Sequence, residues 1–147
     1  MKMLSGMLCF LFILIVPHSG SASESIGRVH TASGAVSIER AGKQVAVVAG
    51  DLIFENDKLV TGADGILSVL LKDDTALSLD YESQMVLDKY VYESQKGKGA
   101  MVLKMIKGIA GYFSGEIGKT SPGKVKFETP LATIGIRGTK FFVKVGN

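Results

Sequence analysis

Val125-Lys126-Phe127-Glu128-Thr129-Pro130-Leu131-Ala132-Thr133-Ile134-Gly135-Ile136-Arg137-Gly138-Thr139 is the stretch on which the reading of this chain turns. Before Pro130, the residues Val125, Phe127 and Thr129 alternate with Lys126 and Glu128. After Thr139, the residues Phe141, Val143 and Val145 alternate with Lys140, Phe142 and Lys144. A period of two marks strands with one buried and one wet face. Pro130 has no N–H for a sheet ladder, so it marks a strand start, an edge or a corner. Gly135 and Gly138 bracket Ile136-Arg137 and permit backbone angles that a Cβ resists. The segment from Thr129 to Thr139 is therefore expected to turn a corner between sheets.

Arginine is scarce here: Arg28, Arg40 and Arg137 are the three in the chain, and the other cations are lysines. A planar five-donor fork suits a fixed hydrogen-bonding task better than a lysine does. Arg137 has two readings. It pins the corner to neighbouring carbonyls, or it binds an anion or a partner.

Upstream, short strand patterns are cut by turns. The candidates are Gly34 to Glu39, Gln44 to Val48, Leu59 to Thr61, Ile66 to Leu71, Ala76 to Leu79, Gln84 to Tyr92, Met101 to Lys107, Ile109 to Phe113, Val125 to Thr129, Leu131 to Ile134 and Lys140 to Val145. Ala41-Gly42-Lys43, Ala63-Asp64-Gly65, Asp73-Asp74 and Lys96-Gly97-Lys98-Gly99 separate several of them with turn chemistry. Met101 to Ile109 has helical propensity, but Gly108 and Gly111 interrupt it and its length suits a strand. About eleven short strands predict an all-β fold, a compact sandwich or roll, with solenoid-like stacking as a variant. Glu93 to Gly99 and Gly118 to Gly123 read as loops.

Thr129-Pro130, Ala132, then Arg137-Gly138-Thr139 followed by Phe141-x-Val143, resembles the closing signature of the FecR domain family. Gly50-Asp51, Asp57-x-Leu59-x-Thr61-Gly62 and Asp73 resemble its opening half, so the likeness runs over roughly residues 34 to 145. Asp74 departs from the family's usual Asp-Gly turn; Asp tolerates left-handed backbone better than most residues, so the turn is expected to survive. The resemblance implies a compact all-β module. The best-known members are membrane-spanning regulators whose cytoplasmic part controls a sigma factor and whose periplasmic part receives a signal from an outer-membrane transporter. This chain resembles the periplasmic module alone, without the cytoplasmic anti-sigma segment.

The first residues set the compartment. Lys2 precedes an apolar run from Met7 to Val16, and small residues follow at Ser19 to Ser23. The run is shorter than the ~20 residues that span a bilayer. Residues 1–23 are read as a cleaved signal peptide, with the cut after Ala22 or Ser23, and a retained anchor as the alternative. Residues 24–147 are then a single all-β domain, periplasmic or secreted, with no stable membrane insertion. Loss of Lys2 lowers the net charge from +3 to +2. Cys9, the only cysteine, lies in the apolar run, so disulfides, thiolate catalysis and cysteine–metal sites are excluded for the processed chain.

No motif for chemistry survives inspection. Gly118-Lys119-Thr120 lacks the earlier glycine of a phosphate loop, having Phe113 there. His30 is the one histidine left after cleavage and has no partner motif. Asp51, Asp57, Asp64, Asp73, Asp74 and Asp80 do not follow the twelve-residue calcium-loop spacing. No metal, no cofactor and no enzymatic activity are expected, and a hydrolase ranks behind two binding readings. In the first, a non-enzymatic module contacts an envelope protein through strand edges and the face around Arg137, Phe142, Lys140 and Lys144. Phe142 stands on the strand side otherwise held by lysines; packing under a loop is the other reading of that residue. In the second, the lysine-bearing strands bind an anionic polysaccharide or cell-wall polymer. Those lysines equally serve as guards of strand edges. Nucleic acid is not an expected partner. Thr129, Pro130, Gly135, Gly138 and Thr139 are assigned to the structural motif.

Overall fold

A computed structural model describes residues 20, 22–137 and 140–146. The chain is all-β: β1 (Gly27–Ser33), β2 (Val36–Arg40), β3 (Lys43–Ala46), β4 (Leu52–Ile53), β5 (Lys58–Thr61), β6 (Ile66–Leu71), β7 (Ala76–Leu79), β8 (Gln84–Glu93), β9 (Lys98–Phe113), β10 (Val125–Glu128), β11 (Thr133–Ile136) and β12 (Lys140–Val145), with one short helix, α1 (Glu116–Thr120). They form one curled twelve-stranded sheet whose halves share β9. In half A the strand order is β12-β9-β7-β6-β1-β4, and in half B it is β3-β2-β5-β8-β9-β10-β11. Every pair is antiparallel except β9 with β10, so the strands meander and do not coil as in a solenoid. The parallel pair needs a crossover, and α1 lies in it.

The sequence divides β9 in two at Gly108; the chain instead keeps one strand of sixteen residues. Its first part pairs with β8 and β10, and its last part with β7 and β12. Met101, Leu103 and Met105 point into the core in the first part, Ala110 and Tyr112 in the second. The inward parity flips from odd to even. A register shift beside Gln84 and the positive φ of Gly108 (94°) make the flip. A Cβ on Gly108 would stand 2.2 Å from Ser83 Oγ, so only glycine fits. The Ser83 hydroxyl pins the bend by accepting the Ile109 N–H at 2.9 Å.

β1 and β4 escape the sequence reading; they complete the far end of half A. The Asp73-Asp74 turn forms with Asp74 at φ 63°, as the sequence leads one to expect. The inward faces join one apolar cluster that includes Ile38, Leu59, Leu77, Met101, Tyr112 and Phe127. Gly118 to Gly123, expected as a loop, begins inside α1. This helix packs on the β8–β9 turn: Thr120 Oγ1 donates to the Gly97 carbonyl and Gly99 N–H to Ser121 Oγ.

Candidate functional site

The Thr129-Pro130 step is the β10–β11 turn. Thr129 N–H donates to the Ala132 carbonyl at 2.8 Å, and its hydroxyl accepts the Ala132 N–H at 3.1 Å. Pro130 is exposed at the tip and Leu131 stands 96% exposed beside it. Gly135 lies within β11 and a Cβ there would meet open space. Gly108 and Gly111, by contrast, stand where a Cβ would clash with Ser83 and Ser78. β11 belongs to half B and β12 to half A, so the chain changes halves across residues 137–139; Gly138 and Thr139 lie outside the described residues.

β12 has two different faces. Phe141, Val143 and Val145 are half-buried, and Phe141 stacks on Tyr112 (5.3 Å between centroids) and meets Phe127 edge-on at 5.4 Å. Lys140, Phe142 and Lys144 are exposed on the other face, Phe142 by 70%. Phe142 pairs across to Gly111, and a Cβ on Gly111 would lie 2.8 Å from its ring. The ring rests there and meets Phe113 edge-on at 5.9 Å. A shallow groove of about 290 Å³ runs from it past Ser78 and Ile109 to Ile66. No strand of the described residues pairs with the outer edge of β12.

Arg137 is exposed and makes no hydrogen bond or ion pair with another described residue. The arginine with a fixed hydrogen-bonding task is Arg40. Its Nε donates to Asp57 Oδ1 at 2.7 Å and its Nη2 to Asp57 Oδ2 at 2.6 Å, with the Leu52 carbonyl at 3.1 Å. The guanidinium lies 4.5 Å from the Phe54 ring centre, a cation–π geometry. Asp57 is fully buried and also accepts the Phe54 N–H at 2.8 Å, so both carboxylate oxygens are used. The hydrogen bond to Asp57 holds the Arg40 pKa above its ordinary value.

A second buried carboxylate organises the α1 end. Asp73 accepts from Tyr90 OH (3.1 Å), Thr75 Oγ1 (2.7 Å) and Ile117 N–H (3.2 Å), and its carbonyl accepts from Glu116 N–H at 2.7 Å. Burial, then the Asp73 charge, pushes the Tyr90 phenol well above its ordinary range. Tyr92 donates to the Glu116 carboxylate, and this hydrogen bond pushes its pKa up to about 12. Both networks join residues far apart in the chain, which is why local pattern does not show them. The available signals were the scarcity of arginine and the place of Asp57 and Asp73 in the opening motif.

Elsewhere four lysines are compensated. Lys58 meets Glu39 at 3.3 Å, Lys72 meets Glu24 at 2.6 Å, Lys96 meets Glu93 at 2.8 Å, and Lys104 meets Asp88 at 3.1 Å. Among the described residues no cluster of three His, Cys, Asp or Glu side chains could hold a metal ion, and no helix is long and apolar enough to cross a membrane.

A family model described as FecR protein matches residues 57–147, from the buried aspartate Asp57 through β12. The chain belongs to the FecR family. Neither the curated proteins nor the solved structures gave a match. The FecR match starts later than the resemblance read from residue 34, so β1 to β4 lie outside it, although β2 and β1 pair with strands inside it. The two buried aspartates of the FecR opening half, Asp57 and Asp73, are structural, each satisfied by several donors. In the closing half Arg137, Phe142 and Lys144 are exposed, and Phe142 packs only on the outer surface at Gly111 and Phe113.

Proposed function

We propose that this FecR protein is a non-enzymatic, exported interaction module of the sensor type, contacting another cell-envelope protein through β12. Three features support the reading: membership of a family of regulators, the signal-like residues 1–23, and an edge strand that offers an exposed aromatic side chain. Phe142 carries the most weight. A phenylalanine 70% exposed on an open edge adds nothing to the core and leaves apolar surface in water, as binding surfaces do.

A photo-crosslinking residue placed at position 142 of the full chain in its native envelope tests this. A single crosslinked protein is expected there and none from position 60 on half B. Absence of any crosslink at 142, with the protein folded and exported, refutes the reading. Lys124 and Lys126, exposed and outside the ion pairs above, favour a second reading, an anionic cell-wall polymer. Sedimentation with cell-wall material that weakens as salt rises would support it.

A further inference from the structure

We infer that this chain associates with a second copy of itself through the open edge of β11, the two β11 strands pairing antiparallel so that half B runs on from one copy into the other. The inference goes beyond the β12 reading above and does not depend on it.

Four strands of the sheet have a partner on one side only: β3, β4, β11 and β12. Proteins guard such edges with short length or with charge, above all lysine. β4 has two residues, β3 carries Lys43, and β12 carries Lys140 and Lys144. β11, Thr133-Ile134-Gly135-Ile136, has neither charge nor proline. Apolar side chains are exposed beside it: Ile134 by 38%, and Leu131 in the adjoining turn by 96%. Of the four, β11 is the edge least guarded against another strand.

The register follows from the faces of the strand. β11 pairs with β10 as Val125↔Ile136, Lys126↔Gly135, Phe127↔Ile134 and Glu128↔Thr133. Val125 and Phe127 are buried, so Ile134 and Ile136 lie on the inner face and Thr133 and Gly135 on the outer. Two-fold pairing must set inner residues opposite inner ones, because alternate residues share a face. With Gly135 opposite Gly135 of the second copy, Ile134 meets Ile136 twice. On the outer face Arg137 of each copy then comes opposite Thr133 of the other. Glu128 lies one strand beyond Thr133, about 10 Å away by two strand spacings, within reach of two long side chains. Shifting the register by two residues one way puts Arg137 on the row of Lys126, and the other way carries it past Glu128.

Charge selects the second copy as the occupant. Arg137 is exposed, and the Glu128 carboxylate is 3.9 Å from Lys104, which lies nearer Asp88 at 3.1 Å. Each copy thus offers one cation and one anion at the two positions that a two-fold axis brings together twice. A strand of another sequence would have to supply both charges at the same spacing.

Four or five paired residues make a small contact, so the dimer is expected to be weak and concentration-dependent. Analytical ultracentrifugation of the folded chain purified after export is expected to show monomer and dimer in exchange, with amide exchange at residues 133–136 slowing as concentration rises. Glu128→Arg and Arg137→Glu are each expected to weaken the dimer about tenfold, because each turns two symmetry-related pairs from attraction to repulsion. The double variant exchanges the charges and is expected to restore it. A Cβ at Gly135 meets open space. In a Cys9→Ser background, Gly135→Cys is therefore expected to fold and to give a disulfide-linked dimer on mild oxidation, and Val45→Cys on the β3 edge to give none. No dimer up to about 1 mM, the weak end of specific association, would overturn the inference. So would a dimer that leaves residues 133–136 unprotected, failure of the double variant to recover, or equal crosslinking from position 45. The interaction reading stands or falls separately, on the crosslink from position 142.

Discussion

The two arginine corners of this protein are built in opposite senses. At Arg40 the fork is closed on a buried carboxylate, a carbonyl and an aromatic face, and each partner is satisfied inside the chain. At Arg137 and along β12 the cation, the aromatic ring and the lysines point outward. The same residue types thus hold the fold together at one corner and are exposed at the other. Scarcity of arginine shows that some fork has a task; only the paired carboxylate shows which.

The comparison breaks or sharpens by mutation. The largest effect belongs to Asp57→Ala, which strands the Arg40 guanidinium and the Phe54 N–H; a stability loss of about 3 kcal/mol is expected in denaturant melts. A loss under about 1 kcal/mol would mean that this corner is no more closed than the other. Next come the adjacent phenylalanines. Phe141→Ala removes a half-buried ring packed on Tyr112 and Phe127 and should cost roughly 2 kcal/mol, below the range for fully buried rings. Phe142→Ala should leave stability within about 0.5 kcal/mol. Equal costs would erase the distinction between the faces of β12.

An intermediate effect tests the buried Asp73 network. Because the folded chain holds the Tyr90 phenol above its unfolded pKa, the stabilisation is complete below about pH 10. It then falls as pH rises, since the unfolded chain gives up the proton first. The slope is about 1.4 kcal/mol per pH unit for each such tyrosine. Melting curves between pH 9 and 11.5 should show the decline in the wild-type chain and a shallower one in Tyr90→Phe. Identical slopes would remove Tyr90 from the network. The smallest expected contrast is between the arginines themselves: Arg40→Lys should lose about 1 kcal/mol with its bidentate geometry, and Arg137→Lys under about 0.5 kcal/mol.

Much of the architecture was legible because period-two alternation is local. Ile66–Leu71, Ala76–Leu79 and Lys140–Val145 were read with their observed bounds. β4 has two residues, too few to show a period. α1 was not legible since it is one turn long, contains Gly118, and receives a start from Asp73, forty-four positions upstream. The position of β12 and the outward side of Phe142 followed from alternation. The pairing of Arg40 with Asp57 did not, for the two residues lie seventeen positions apart. Gly108 was seen as a break because glycine weakens strands; in the folded chain its conformational freedom lets the strand continue.

That glycine ties the fate of the two halves together. β9 is an interior member of both, so unravelling either one strips partners from the strand on which the other is hung. Thermal loss of structure is therefore expected to be a single cooperative event, reported alike by probes near Phe142 and near Arg40.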